Sequence, residues 1–445
     1  MKSKGLLLTI VFTLIGLSSC LRRPIENPVE NLPPETHCFI AHVDTVDTVP
    51  AKVELFWLGN DPDGEVVGYY YAIDGKDTTF TRSTSGVFTF KVEAGDTYAL
   101  HIFEVWAVDN EGATDPTPAR VIIPVRNTPP VAYFIPEKLP PDTTLTVATF
   151  YFGASDIDGD HTITGFLYRL DMEPETVWHY VPIDSACVFL VNIPSGDRTI
   201  YLKAIDESYA MSEAVSHSWF VKPVRGRVLL IDDSNVSQAD GFYINFLETF
   251  FPDDYTVYSV EKGLPYSFLD LNYMINNLGF SLVIWYTADQ SEHFSSTLNI
   301  FTTYLESGKK LVLISPAVLD VLMNPAFTPS PFVRDYMGVD SVTAWNKMLI
   351  RNEKLYPALS DYDTLSCNLP IISRFDGFKP ADFAKALYNL PTIPARWQGN
   401  PTCIVVAPSQ SPKVAFISIQ YHALDGLSNA GRMLLKIIRD ELRFK

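Results

Sequence analysis

Ser315, His422 and Asp232 supply a hydroxyl, an imidazole and a carboxylate, the three parts of a hydrolytic relay. Each follows a short apolar run, and ligands of open α/β sheets bind outside the carboxyl ends of such strands. Against this, Ser315 is followed by Pro316 and is not set in Gly-x-Ser-x-Gly, and proline removes an N–H that an oxyanion hole would use. The plainer reading makes Ser315 a strand-end cap and His422 a hydrogen-bonded loop residue. Asp232, Asp233, Trp285, Tyr286 and Asp289 form a second set. Their rings suit stacking on a sugar and their carboxylates suit its hydroxyls, although strand aromatics also serve simply as core. Asp156, Asp158 and Asp160 form a third set, hard oxygen ligands of the kind that hold Ca²⁺. Gly159 falls between the second and third acids rather than after the third, which equally suits an Asx turn. No glycine-rich phosphate loop follows Asp233, so Ca²⁺ is the one cofactor under consideration.

The elements that position these groups change character along the chain. The run Arg227-Val-Leu-Leu-Ile-Asp-Asp233 reads as a strand buried on both faces, the first of a parallel α/β sheet. A helical stretch follows, with Phe242, Phe246, Leu247 and Phe250 on one face. Apolar runs at 255–260, 280–286, 310–315, 403–407 and 413–419 alternate with helical segments, and Gly308 stands as a C′ residue. This order predicts right-handed crossovers and a doubly wound parallel sheet over 226–445. Residues 325–395 are rich in Pro and Asp and read as an irregular excursion with short helices.

Upstream, residues 36–125 and 131–223 look like two copies of one unit. Val53-Glu-Leu-Phe-Trp57, an Asp61-Pro-Asp-Gly64 turn, 67–74 and 102–109 match 148–152, Asp156-Ile-Asp-Gly159, 164–171 and 200–206. Alternation of period two with aromatic and β-branched residues predicts two antiparallel sandwiches. Asn127-Thr-Pro-Pro130 and Lys222-Pro-Val-Arg-Gly226 read as short stiff joints, and 20–35 as a proline-bearing tether.

Residues 1–19 read as a targeting segment, with Lys2 and Lys4 before an apolar stretch from Leu6 to Leu17 that is too short to span a bilayer. Leu17-Ser18-Ser19-Cys20 resembles the lipobox of bacterial lipoproteins, which implies lipidation at Cys20 and a membrane partner through the acyl chains. By the same resemblance, Leu21 favours the outer membrane. The absence of an acidic tag after Cys20, unlike Bacteroidetes-like surface lipoproteins, favours its periplasmic face, with surface exposure left open.

The paired modules resemble fibronectin type III-like and related immunoglobulin-like domains, with Trp57 at the core position and Phe152 replacing it in the second copy. Asp232-Asp233, Val283-Ile-Trp-Tyr286, 307–315 and Lys413-Val-Ala-Phe-Ile-Ser418 resemble class I glutamine amidotransferase-like domains, which implies a flavodoxin-like fold. That family carries a cysteine within Gly-x-Cys-x-Gly and a later His-x-Glu. Here Ser315-Pro316 and Gln420-Tyr-His-Ala423 stand instead, so the resemblance implies a pseudoenzyme.

The chain has 445 residues and a formal charge of -18, which repels phosphates and excludes nucleic acid as a partner. Cys38, Cys187, Cys367 and Cys403 sit in no metal or redox spacing, although Cys367 and Cys403 lie in one domain and could pair. Together these features predict a lipid-anchored envelope protein that binds or scaffolds a protein or glycan partner. The alternatives are an envelope hydrolase acting on glycan or peptide through Ser315 and His422, and a structural subunit of an outer-membrane complex.

Overall fold

The computed structural model describes residues 30–40, 48–93, 96–260, 263–287, 292–323 and 330–445. Cys20, the targeting segment and Asp289 lie outside them. The chain divides into two compact units. One holds residues through Pro130 with 155–163 and 205–211, and the other holds 131–154, 164–204 and 212–445.

In the first unit the strands are β1 (Glu35–Ile40), β2 (Val49–Pro50), β3 (Lys52–Asn60), β4 (Val66–Ile73), β5 (Thr79–Thr81), β6 (Ser85–Thr89), β7 (Tyr98–Asp109) and β8 (Ala119–Arg126). They form a sheet β1-β3-β6 and a sheet β2-β8-β7-β4-β5. Alternation along β3 and β7 turns Val53, Leu55 and Trp57 of one sheet, and Phe103, Val105 and Ala107 of the other, into one core. The larger of these, Val53, Leu55, Phe103 and Val105, each contribute roughly 1.5–3 kcal/mol by leaving water. The indole of Trp57 is buried and donates from Nε1 to the Ser83 carbonyl, 2.8 Å away. This is an immunoglobulin-like β-sandwich, with Trp57 in the core as expected. The tether is shorter than read, because Asn31 and Leu32 already bond to Asp109 and Asp63.

The second module is built from β9 (Val131–Phe134), β10 (Thr143–Thr144), β11 (Val147–Ser155), β12 (Ile163–Leu170), β13 (His179–Pro182), β14 (Cys187–Val191), β15 (Gly196–Asp206) and β16 (Val215–Val221). Sheets β14-β11-β9 and β10-β16-β15-β12-β13 repeat the immunoglobulin-like arrangement. Phe152 packs on Phe166 with ring centroids 4.6 Å apart, and Phe150 packs on Trp219 at 4.8 Å. The core indole of this copy therefore comes from β16.

The C-terminal region contains β17 (Val228–Asp233), α1 (Ser237–Phe250), β18 (Tyr255–Ser259), α2 (Phe268–Asn277), β19 (Leu282–Thr287), α3 (Glu292–Ser295), α4 (Leu298–Glu306), β20 (Lys310–Ile314) and α5 (Val318–Leu322). There follow β21 (Val339–Ile350), β22 (Lys354–Pro357), β23 (Leu365–Ser366), β24 (Ile371–Pro380), β25 (Lys385–Asn389), β26 (Thr402–Ala407), β27 (Val414–Ile417) and a closing helical segment, 427–441. Strands β18, β17, β19, β20 and β27 pair parallel, and the unbroken apolar runs of all but the edge strand β18 are those of strands covered on both faces. Leu230, Ile284 and Val312 pack with α1, whereas Leu229, Val283 and Leu311 pack with α2 and α4. Gly308, at φ +86°, ends α4 as its C′ residue.

The expected doubly wound, flavodoxin-like parallel sheet is not what this region forms. The sheet is mixed and eleven-stranded, and β21 to β26 pair antiparallel beside the parallel five. Among the described residues strand outweighs helix, 43% against 19%, so the protein is dominated by β-structure rather than by an α/β domain. The excursion read as irregular, 325–395, supplies β21 to β25, while β26 falls where a strand was expected. Its signal was hidden because the β21–β24 register shifts four times, and Asn346 and Arg374 adopt positive φ, so period two is broken.

Candidate functional site

Alternation at the carboxyl ends of the parallel strands divides the expected residues between two sides of the sheet. Asp233 and Trp285 face the core that holds α2 and α4, and Tyr286 faces the core that holds α1. On the first side the buried Asp233 carboxylate accepts from Trp285 Nε1 at 3.1 Å and lies 2.7 Å from His293 Nδ1. Burial raises the pKa of Asp233 above the usual carboxylate value, and the His293 contact pulls the other way. His293 is still 37% exposed, so the pair is an imidazole braced from behind by a buried carboxyl. The sequence reading missed His293, which lies within the short helix α3 without any local motif. The only signal was an imidazole shortly after a strand end.

Ser315 is completely buried and its hydroxyl is 2.9 Å from that of Thr287. His422 packs against Tyr243 of α1, with ring centroids 6.3 Å apart, and burial pushes its pKa down to about 4. Asp232 Oδ1 accepts from the Ser234 N–H at 3.2 Å. Ser315 and His422 thus serve different cores, and the relay proposed from Ser315, His422 and Asp232 is not assembled. Trp285 and Tyr286 are 0% and 1% exposed, so neither offers a face to a sugar. Trp285 packs on Phe294 and Phe301, while Tyr286 stacks 4.1 Å from Tyr243 and donates to Asp240 at 3.1 Å. Burial first, then the charges of Asp232 and Asp240, hold the proton on Tyr286.

The calcium candidates are likewise engaged. Asp156 accepts from the Asp158 N–H at 2.9 Å and from the Thr162 hydroxyl at 3.2 Å. Asp158 accepts from the N–H groups of Ala51 and Thr128, at 3.2 and 2.7 Å, and Asp160 accepts from that of Asp156 at 2.9 Å. Among the described residues no group of three or more His, Cys, Asp or Glu side chains gathers as a metal would need. The acids close turns and clasp a linker instead. Cys367 and Cys403 do not pair: both are buried free thiols, whose Sγ atoms approach the carbonyls of Leu369 and Tyr388.

A different buried acid stands out. Asp376 on β24 is 1% exposed, with Oδ1 accepting from the Asn346 N–H at 2.8 Å and Oδ2 unpartnered. Burial, and secondarily the charge of Asp320, raise its pKa to about 7.

No family model and no curated relative matches the sequence. Among solved structures the chain is similar to fibronectin(III)-like modules of Clostridium thermocellum CbhA, at 16% identity and a TM-score of 0.20, over 42% of this chain and 94% of that one. It is also similar to the PKD1 domain of Vibrio anguillarum Epp, at 21% identity and a TM-score of 0.17, over 22% of this chain and 99% of that one. A segment of two fibronectin type III domains from chicken tenascin aligns at 14% identity and a TM-score of 0.25, over 42% of this chain and 99% of that one.

Proposed function

We propose that this protein is a lipid-anchored component of the bacterial cell envelope that binds or scaffolds a partner, with two immunoglobulin-like modules leading to a C-terminal domain that performs no hydrolysis. The observation that carries the non-catalytic half is the state of Ser315, buried completely and bonded to Thr287 where a nucleophile would need access. The resemblance of residues 307–315 to amidotransferases then concerns those motifs alone, without a thiol. The anchoring half rests on Leu17-Ser18-Ser19-Cys20 at the end of an apolar stretch. The outer membrane, facing the periplasm, is the location this reading assigns. Metabolic labelling with a palmitate analogue tests it: label should enter the wild-type chain and vanish in Cys20→Ser, which should leave the membrane fraction. Unlabelled wild-type protein in the soluble fraction would refute the anchor.

An envelope hydrolase is the second reading, and its support is the Asp233–His293 pair. A carboxylate-braced imidazole is suited to general-base work. Loss of a measured peptide or glycan hydrolysis in His293→Ala, with folding intact, would favour it.

A further inference from the structure

Beside the β21–β24 ladder lies an open groove of about 780 Å³. Its lining includes Trp345 and Lys347 of β21, Lys379 of β24, and Arg396, Gln398 and Asn400 from the loop before β26. Among the described residues three bases line it and no carboxylate does, in a chain with 52 acidic and 34 basic residues. The bases are not equivalent. Lys379 is paired with Asp340 at 3.1 Å, and Arg396 with Glu353 at 2.7 Å. Lys347 forms no ion pair among the described residues, so its ammonium is the open positive charge. Asn400 Oδ1 accepts from the Thr392 hydroxyl, which leaves the amide nitrogen as a donor, and Gln398 is exposed. The half-buried Trp345 and the prolines Pro380 and Pro401 add apolar wall.

We propose that this groove binds an oligosaccharide bearing carboxylates, such as a uronic-acid chain. The chemistry matches part by part. Indole and proline surfaces accept the C–H faces of sugar rings, carboxamides bond hydroxyls, and Lys347 meets the carboxylate in a wall that contains no competing acid. An acidic peptide is the competing occupant, because among the described residues β21 pairs only with β24 and its other edge would accept an added strand; hexaglutamate is the probe that separates the two. The proposal deepens the binding half of the proposed function and stands apart from the anchor, so failed labelling at Cys20 and failed glycan binding are separate results.

The test is calorimetric titration of the detergent-solubilised full chain with trigalacturonate, galactotriose and hexaglutamate. Trigalacturonate should bind, should weaken with added salt, and should lose at least about tenfold affinity in Lys347→Gln, the loss expected when one charge-assisted bond is removed. Gln398→Ala, an exposed site that leaves folding untouched, should weaken it further. Equal affinity for galactotriose, preference for hexaglutamate, an unchanged Lys347→Gln variant, or no binding by any of the three would each overturn the proposal.

Discussion

Asn127 donates its side-chain amide to Asp206 across 2.6 Å, and Asn31 makes the same bond to Asp109 at 2.7 Å. Each asparagine opens an Asn-x-Pro-Pro sequence, Asn31-Leu-Pro-Pro34 and Asn127-Thr-Pro-Pro130. The next residue donates its N–H to the second acid of the Asp-x-Asp-Gly turn, Leu32 to Asp63 and Thr128 to Asp158. The receiving acids also close their own turns, Asp109 on the Ala113 N–H and Asp206 on that of Ala210. The Asn31 bond holds the pKa of Asp109 below the usual carboxylate value. Of the three acids that looked like calcium ligands, Asp158 belongs to this clasp, which is built twice.

Removing the clasp should destabilise the module it enters. Asn127→Ala leaves the Asp206 carboxylate short of a donor, and a hydrogen bond to a charged group contributes about 1.5–3 kcal/mol. Thermal unfolding should shift down by several degrees in Asn127→Ala and in Asp158→Ala, while calcium and EDTA leave the wild-type midpoint where it is. A calcium-dependent rise that Asp158→Ala abolishes would restore the metal reading.

Asp376 and Asp270 make stability fall as pH rises. Asp270 on α2 accepts from the Thr149 N–H at 3.0 Å and from its hydroxyl at 2.5 Å, and burial raises its pKa to about 6 against these bonds. Asp376 is raised to about 7. A raised carboxyl holds its proton in the folded state where the unfolded chain has lost it. The stabilisation is therefore full below about pH 4 and is lost as pH climbs through 6 for Asp270 and 7 for Asp376. For Asp376 the loss is roughly 2–4 kcal/mol. Urea unfolding of Asp376→Asn at pH 5 and pH 8 should show a smaller difference than wild type. An equal difference in both proteins would place the titration elsewhere.

Ser315→Ala should cost stability and no activity. Its hydroxyl satisfies that of Thr287 in a dry site, so deletion leaves a buried group unpaired at about 1–3 kcal/mol. A denaturant midpoint lowered by that amount, with turnover of esterase and glycosidase substrates unchanged, is the expected pair of results.

The four described cysteines should all titrate as thiols without reductant once the chain is unfolded. In the native state Cys367 and Cys403 should resist alkylation, because burial raises both thiol pKa values and closes access. Fewer than four thiols in denaturant would reveal a bridge.

Gly226 holds φ +65° at the entry to β17, and a Cβ there would lie 2.0 Å from the Asp254 carbonyl carbon. Gly226→Ala should therefore lower the unfolding midpoint of the second unit by more than any surface substitution nearby, since backbone rather than a mobile side chain must yield.

Much of the architecture was written in local pattern. Period two in Val53-Glu-Leu-Phe-Trp57 dictated sandwich strands, and unbroken apolar runs at 228–231 and 282–285 dictated strands covered on both faces, because burial on one or two faces leaves its own periodicity. Tertiary structure alone decided the rest. Neighbouring positions on a strand end face opposite sides of a sheet, so Asp232 and Asp233, adjacent in sequence, serve different surroundings, and only the second meets Trp285 and His293. The bulged β21–β24 ladder, which turns the expected parallel domain into a mixed sheet and lines the Lys347 groove, joins residues some thirty positions apart. No local spacing encodes that pairing, because it is held by contacts that exist only after the chain has folded.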